Sequence, residues 1–328
     1  MKKLSAKLLV VVLILSLVVG LGGCASKPEP APEPAAVEAP ADTTETAAEE
    51  ASSEASAVED AVNAYFANMP EDIYKIKQTD FVDLVKANSE DIFVLDIRQP
   101  DVYAEGHVKG AVNAPWGTAI SDNLDKLPKD KIIMVYCYTG QTAGQTVALL
   151  NMAGFDAKSV NLGWNLGISN VDGIDAVTET EANDFPEGTS LEINPEIKAA
   201  IEAYFAGLAD VKGTTYANYK ISEDDAKALL DAKDDSVVFL SIRSAKDYAE
   251  GHIEGALNIP WGKGMQEQFN TLPQDKKIIV YCYTGQTAGQ TVAGLKMLGY
   301  DAVSLNGGMG MEANAPQGWM NKDYPVVK

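Results

Sequence analysis

The sequence predicts an α/β protein made of two like domains in tandem, each a mainly parallel sheet flanked by helices, behind a leader and a solvated stalk. Three observations carry that expectation. The segment Y-C-Y-T-G-Q-T-A-G-Q-T-V-A occurs unchanged from Tyr136 to Ala148 and from Tyr281 to Ala293, and much of the surrounding chain follows the same offset of 145, pairing Tyr74 with Tyr219, Arg98 with Arg243 and His107 with His252. Each half alternates short Val- and Ile-rich runs with amphipathic stretches, the pattern of strands and helices in turn. Residues 1–57 are unlike anything in either half.

Residues 1–23 contain Lys2, Lys3 and Lys7 and an apolar run from Leu8 to Val19. That run is too short for a stop-transfer helix and is laid out as an export signal. The following L-G-G-C resembles a bacterial lipobox, with Cys24 the lipidated first mature residue. Residues 24–57 are mostly Pro, Ala, Glu, Ser and Thr and hold almost nothing large and apolar, so they read as a disordered acidic stalk.

In the first domain, placed at residues 58–172, strands are expected at Ile92–Leu95, Ala111–Ala114, Ile132–Tyr136 and Lys158–Leu162. Helices are expected at Asp80–Ala87 and Ala143–Met152, with Gly154 ending the second. Acidic and polar residues 173–194, with Gly and Pro, read as the linker. The second domain, residues 195–328, repeats the order at Val237–Leu240, Ala256–Ile259, Ile278–Tyr281 and Ala302–Leu305, and Ser222 with Asp225 makes a capping box. A helical stretch opens each domain, with A-Y-F-A at Ala64–Ala67 and Ala203–Ala206.

The formal charge is −21. Ten acids and one lysine fall between Lys27 and Asp60, so much of the excess sits on the stalk. No basic stripe is present, which argues against a nucleic-acid partner, and the negative surface disfavours long-range capture of anions.

Cys137 and Cys282 follow apolar strands and precede T-G-Q-T and a helix. Each sulfur therefore lies at the carboxyl edge of a sheet and over a helix N-terminus, where open α/β sheets bind ligands. Amides without helical partners converge there and, with the helix dipole, stabilise a thiolate nucleophile. Gly140 and Gly285 let the loop curl around the sulfur, and Thr139, Thr142, Thr284 and Thr287 are candidate hydroxyl donors. A buried inert thiol or a disulfide is the bland alternative, although matching positions in two domains suit one bridge poorly.

The order D-I-R (Asp96 to Arg98), Y-A-E-G-H-V-K-G-A-V-N (Tyr103 to Asn113), then a strand ending in C-Y-T-G-Q-T, resembles the rhodanese family of sulfurtransferases. The likeness runs from about Tyr74 to the C-terminus, in two copies. It implies a rhodanese-like fold for each domain, persulfide-forming nucleophiles at Cys137 and Cys282, and substrate loops Tyr138-Thr139-Gly140-Gln141-Thr142 and Tyr283-Thr284-Gly285-Gln286-Thr287. A small sulfur donor would load the cysteine and a thiol, cyanide or acceptor protein would unload it, with no metal or organic cofactor. With the leader, this makes an extracytoplasmic sulfurtransferase or persulfide carrier lipid-anchored to a bacterial membrane; the alternative is a non-catalytic binding or sensing module.

Departures from the family pattern bear on the donor. Both cysteines are kept, whereas many tandem members lose one. The loops hold no cation, and Val102 and Asp247 stand where thiosulfate-specialised members often have a second arginine, so a persulfide or polysulfide is the expected donor. The absent loop cation also argues against phosphatase chemistry. Ser241 replaces Asp96 in the second copy, and Lys109 or Glu254 stands where proline is common. Asp96, Arg98, Arg243, His107 and His252 are read as supporting residues, the arginines pairing with Glu105 and Glu250 and the histidines holding structural hydrogen bonds. Trp116 and Trp261 either wall the pocket or pack in the core.

Overall fold

Parallel strands covered on both faces are apolar at almost every position, and the runs Ile92–Asp96 and Ile132–Tyr136 are buried throughout except at their first residue. The computed structural model describes residues 56–187 and 191–328. The stretch read as an export leader, Cys24 and the stretch read as a stalk, to residue 55, lie outside the described residues. Among the described residues, no helix is long and apolar enough to cross a membrane.

The first half contains strands β1 (Lys75–Ile76), β2 (Ile92–Asp96), β3 (His107–Val108), β4 (Val112–Asn113), β5 (Ile132–Tyr136), β6 (Ala157–Val160) and β7 (Thr178–Glu179). Its helices are α1 (Ala57–Ala67), α2 (Gln78–Lys86), α3 (Pro100–Glu105), α4 (Thr118–Ser121), α5 (Gln141–Met152) and α6 (Gly163–Leu166). Five strands form one parallel sheet in the order β1-β6-β5-β2-β4. The second half repeats this with β8 (Lys220–Ile221), β9 (Val237–Ser241), β10 (Leu257–Asn258), β11 (Lys277–Tyr281) and β12 (Ala302–Leu305). Its sheet, read from the corresponding edge, is β8-β12-β11-β9-β10, again parallel. Helices α7 (Pro195–Ala206), α8 (Leu208–Val211), α9 (Glu223–Ala232), α10 (Ala245–Glu250) and α11 (Gln286–Met297) accompany it.

The long strands and the helices after each cysteine lie where the sequence places them, within a residue or two at most ends. The two-residue edge strands β1 and β8 were not anticipated, because two residues are too few to show an alternation. Ser222 caps α9 by accepting the Asp225 amide proton at 3.0 Å. The stretch read as a linker has structure of its own: β7 pairs antiparallel with β3, and Asn183 bridges to Val112. Glu179 ties these together by accepting from the Gly110 amide at 2.7 Å and from Asn183 Nδ2 at 2.8 Å. In the second half the chain end takes the corresponding place, with Val327 bridged to His252.

The two helices that open the halves straddle the interface: Tyr65 of α1 stacks on Tyr74 of its own half and Tyr204 of α7 packs against Tyr219 of its own, while the neighbouring phenylalanines reach across. Phe66 of α1 packs edge-on against Trp261 and Phe269 of the second half, with ring centroids 5.8 Å and 5.2 Å apart. Phe205 of α7 packs in the same manner against Trp116 of the first half, at 5.3 Å. These reciprocal contacts join both halves into one continuous apolar core, as at an isologous dimer interface.

At the centre of that interface α5 and α11 cross in close contact. A Cβ added at Gly144 would lie 2.4 Å from the Gln286 carbonyl oxygen, and one added at Gly289 would lie 2.3 Å from that of Gln141. Only residues without a side chain permit this approach.

Candidate active site

Each cysteine follows a fully buried tyrosine at a strand end, Tyr136 or Tyr281. The chain then turns through Gly140, at φ 89°, or Gly285, at φ 90°, into the first turn of α5 or α11. Positive φ at the residue before the helix swings the loop amides inward. Gly140 N–H donates to Cys137 Sγ at 3.1 Å and Ala143 N–H at 3.4 Å, while Gly285 N–H donates to Cys282 Sγ at 3.1 Å. Among the described residues, no hydroxyl of Thr139, Thr142, Thr284 or Thr287 donates to either sulfur. That corrects the expectation of threonine donors: the donors that reach the sulfurs are backbone amides. Both cysteines are free and only 2% exposed.

A second glycine closes each loop from beneath. Gly163 has φ +59°, and a Cβ there would meet Cys137 O at 2.5 Å and Gly140 N at 2.7 Å. Gly308 holds the same place under Cys282, at 2.7 Å and 2.9 Å from the corresponding atoms. The Cys137 carbonyl accepts from Trp164 N–H and the Cys282 carbonyl from Met309 N–H, both at 2.8 Å.

Gln141 and Gln286, expected among the loop residues that line a substrate, turn away from their own loops and dock on the opposite half. Gln141 Nε2 donates to Ser304 Oγ at 2.8 Å and to Leu305 O at 2.9 Å. Gln286 Nε2 donates to Ser159 Oγ at 2.8 Å and to Val160 O at 3.3 Å, and its Oε1 accepts from Leu162 N–H at 3.3 Å. Gln145 and Gln290, fully buried, accept from Tyr204 and Tyr65 hydroxyls of the other half. The repeated segment therefore serves packing, because it meets the other half across the interface.

Tyr138 and Tyr283 stand outside the loop: Tyr138 Oη accepts from Gln99 N–H at 3.1 Å, and Tyr283, 38% exposed, bonds Asp247. Asp247 is held below the usual carboxylate range by hydrogen bonds from Ser244 and Tyr283.

The arginines do not pair with Glu105 and Glu250. Arg98 turns back onto buried Asp96, with Nη2 2.6 Å from its carboxylate, and also donates to Gly106 O at 2.8 Å. Burial opposes the Arg98 cation, but the Asp96 carboxylate outweighs it and holds the guanidinium more firmly protonated. A buried bidentate carboxylate two residues away outcompetes an exposed one. Arg243 finds only serine at the matching position; its Nη2 reaches Gly251 O, and its buried Nε has no partner.

The histidines lie in structural networks. His107, fully buried, stacks on Tyr103 and bonds Tyr103 O through Nδ1 at 2.8 Å and Glu181 O through Nε2 at 3.0 Å. His252, partly exposed, likewise stacks on Tyr248 and bonds Tyr248 O through Nδ1 at 3.0 Å. Trp116 and Trp261 pack at the interface between the halves, Trp116 Nε1 donating to Asn218 at 3.1 Å.

The family model for the Rhodanese-like domain matches residues 78–168 and 222–310. A sulfurtransferase of Allochromatium vinosum is 32% identical over 69 residues, covering 21% of this chain and 64% of that protein, which is less than two thirds of its length. The thiosulfate sulfurtransferase PspE of Escherichia coli is 34% identical over 73 residues, 22% of this chain and 69% of that protein. A solved rhodanese-related protein of Thermoplasma volcanium is 27% identical with a TM-score of 0.28, over 33% of this chain and 96% of that one.

Proposed function

The chain belongs to the Rhodanese-like domain family, and from that premise we propose that it is an extracytoplasmic sulfurtransferase or persulfide carrier, lipid-anchored through Cys24, that carries sulfane sulfur on Cys137 and Cys282. The observation that carries this reading is a free cysteine at the same strand–helix junction in both halves, its sulfur accepting from the amide of the glycine that precedes the helix and, at Cys137, from Ala143 N–H as well. Amides aimed at a sulfur stabilise negative charge there without needing a proton or a metal.

In the loading step the cysteine thiolate attacks the outer sulfur of a persulfide or polysulfide donor. The donor's S–S bond breaks, its electron pair leaves on the departing thiolate, and Cys–S–S⁻ remains. An acceptor thiolate or cyanide then attacks that outer sulfur, the new S–S bond breaks, and the cysteine leaves again as thiolate. Amides at the strand–helix junction offset negative charge on the sulfur in both steps.

Mass spectrometry of the purified protein after incubation with thiosulfate, polysulfide or a low-molecular-weight persulfide tests this. One added sulfur at each of Cys137 and Cys282, removed by cyanide, is expected. If no donor loads either cysteine, the transferase reading fails. The 2% exposure of both cysteines favours one rival, a non-catalytic module that binds a partner; it predicts that Cys137→Ser and Cys282→Ser retain the partner and that turnover is negligible throughout.

A further inference from the structure

Each cysteine loop lacks a cation of its own, yet every species it would handle is anionic. We propose that the missing charge is supplied across the interface, by Lys220 to the Cys137 site and by Lys75 to the Cys282 site. This rests on the sulfur-transfer reading and extends it to the class of donor and to the residues that set it.

Strand register carries the placement. Lys220 is paired in parallel with Ser304, and Lys75 with Ser159. Paired residues of neighbouring strands project their side chains from the same face. That face is identified by the two serines, because Ser304 Oγ receives Gln141 Nε2 and Ser159 Oγ receives Gln286 Nε2, each at 2.8 Å. Gln141 immediately follows Gly140, whose amide holds the Cys137 sulfur, and Gln286 follows Gly285 in the same way. Each lysine therefore lies beside the anchor point of the opposite half's cysteine loop.

Both lysines are half-buried, and among the described residues neither forms an ion pair within 4.0 Å, whereas Lys158, Lys198, Lys227, Lys277 and Lys322 each hold an aspartate at 2.7 Å or less. An unpaired ammonium in such a place is costly unless an anion visits it. Burial pushes the Lys220 ammonium down, and the Cys137 thiolate, followed by Glu223, pushes it back up; for Lys75 the opposing field comes from Cys282. Each ammonium therefore lies within the field of the facing sulfur.

The two sites are not equal. Glu223 is 2% exposed and adds a negative charge near Lys220, while the matching position beside Lys75 is Gln78. The Cys282 site is the more positive of the two. During loading, attacking thiolate and donor persulfide together bring two negative charges, which persist as Cys–S–S⁻ and the leaving thiolate. A single ammonium at each site offsets half of that charge.

Site-resolved alkylation tests the assignment with anionic iodoacetate and neutral iodoacetamide, read by peptide mass mapping. Both reagents consume thiolate, so the ratio of their rates reports local charge rather than nucleophile ionisation. In the unsubstituted protein the ratio at each cysteine is expected above that of a free cysteine peptide, despite the protein's formal charge of −21, and higher at Cys282 than at Cys137. Lys220→Met lowers the ratio at Cys137 by roughly tenfold, several times its effect at Cys282, and Lys220→Arg restores it; Lys75→Met mirrors this at Cys282. A ratio at or below the free-peptide value in the unsubstituted protein, or equal changes at both cysteines in either variant, overturns the proposal. The first comparison needs no variant to fold. The charge contrast without sulfur loading by any donor retains the lysine placement and refutes the transferase reading instead.

Discussion

Alanine at Gly144 sets two effects of opposite sign against each other. In a helix interior, alanine is favoured over glycine by about 1 kcal/mol. The added Cβ would lie 2.4 Å from the Gln286 carbonyl oxygen, roughly 1 Å inside normal carbon–oxygen contact. Because that oxygen is backbone, no rotamer change relieves the overlap, and α5 must move away from α11. Overpacking of this kind costs about 1–3 kcal/mol. The same movement stretches the Gln141 bonds to Ser304 and Leu305 and the Gln286 bonds to Ser159 and Val160, each worth about 1 kcal/mol net. The clash and the strained bonds together exceed the propensity gain, and Gly144→Ala is expected to lose about 2 kcal/mol, a fall of about 3–4 °C in Tm for a chain of this size. Gly289→Ala should behave alike, its Cβ lying 2.3 Å from Gln141 O. The double variant should lose less than the sum, because the second Cβ enters space the first has opened. Thermal and urea melts of the purified proteins measure all three. A Gly144→Ala variant as stable as the parent or more so would mean that helix propensity had won and that the crossing is not this close.

Other consequences follow from particular contacts. Gly163→Ala introduces a Cβ against Cys137 O and Gly140 N at a positive φ; sulfur uptake at Cys137 should fall by an order of magnitude or more, with Cys282 affected far less, as read by peptide-resolved mass spectrometry. Asp96→Ala leaves the buried Arg98 unpaired and should cost about 3–5 kcal/mol in denaturant melts, whereas Ser241→Asp offers the orphaned Arg243 Nε an acceptor and should raise stability by about 1–3 kcal/mol. Burial pushes the Glu179 carboxyl up, but hydrogen bonds from the Gly110 amide and Asn183 outweigh it and hold it below its ordinary value of 4.5. Its contribution is therefore complete above that value and lost as pH falls through the depressed one, so Glu179→Gln should melt with a shallower loss of stability below pH 4.5 than the parent.

The five-residue strands and the loop after each cysteine were legible because their signals are local: continuous burial, a glycine before the helix, and a helix with many buried positions. Arginine pairing was misread because an exposed glutamate in the next helix looks as available as Asp96 until the chain is seen to turn back. The missing threonine contacts have a similar cause, since loop composition does not reveal which donors the backbone places first. Lys75 and Lys220 carried one signal, recurrence at the shared offset within two K-I pairs, but nothing in the chain says which sulfur either faces.

What the sequence by itself determined was the strand, cysteine loop and helix in each half, because backbone propensity and hydrophobic patterning act over a few residues. Tertiary structure decided the reach of α1 and α7 across the interface, the close crossing of α5 and α11, and the placing of each lysine at the other half's cysteine. Those features depend on contacts such as Gln141 with Ser304, 163 residues apart in the chain. Such contacts arise only when two folded surfaces meet, and no local preference of either segment encodes them.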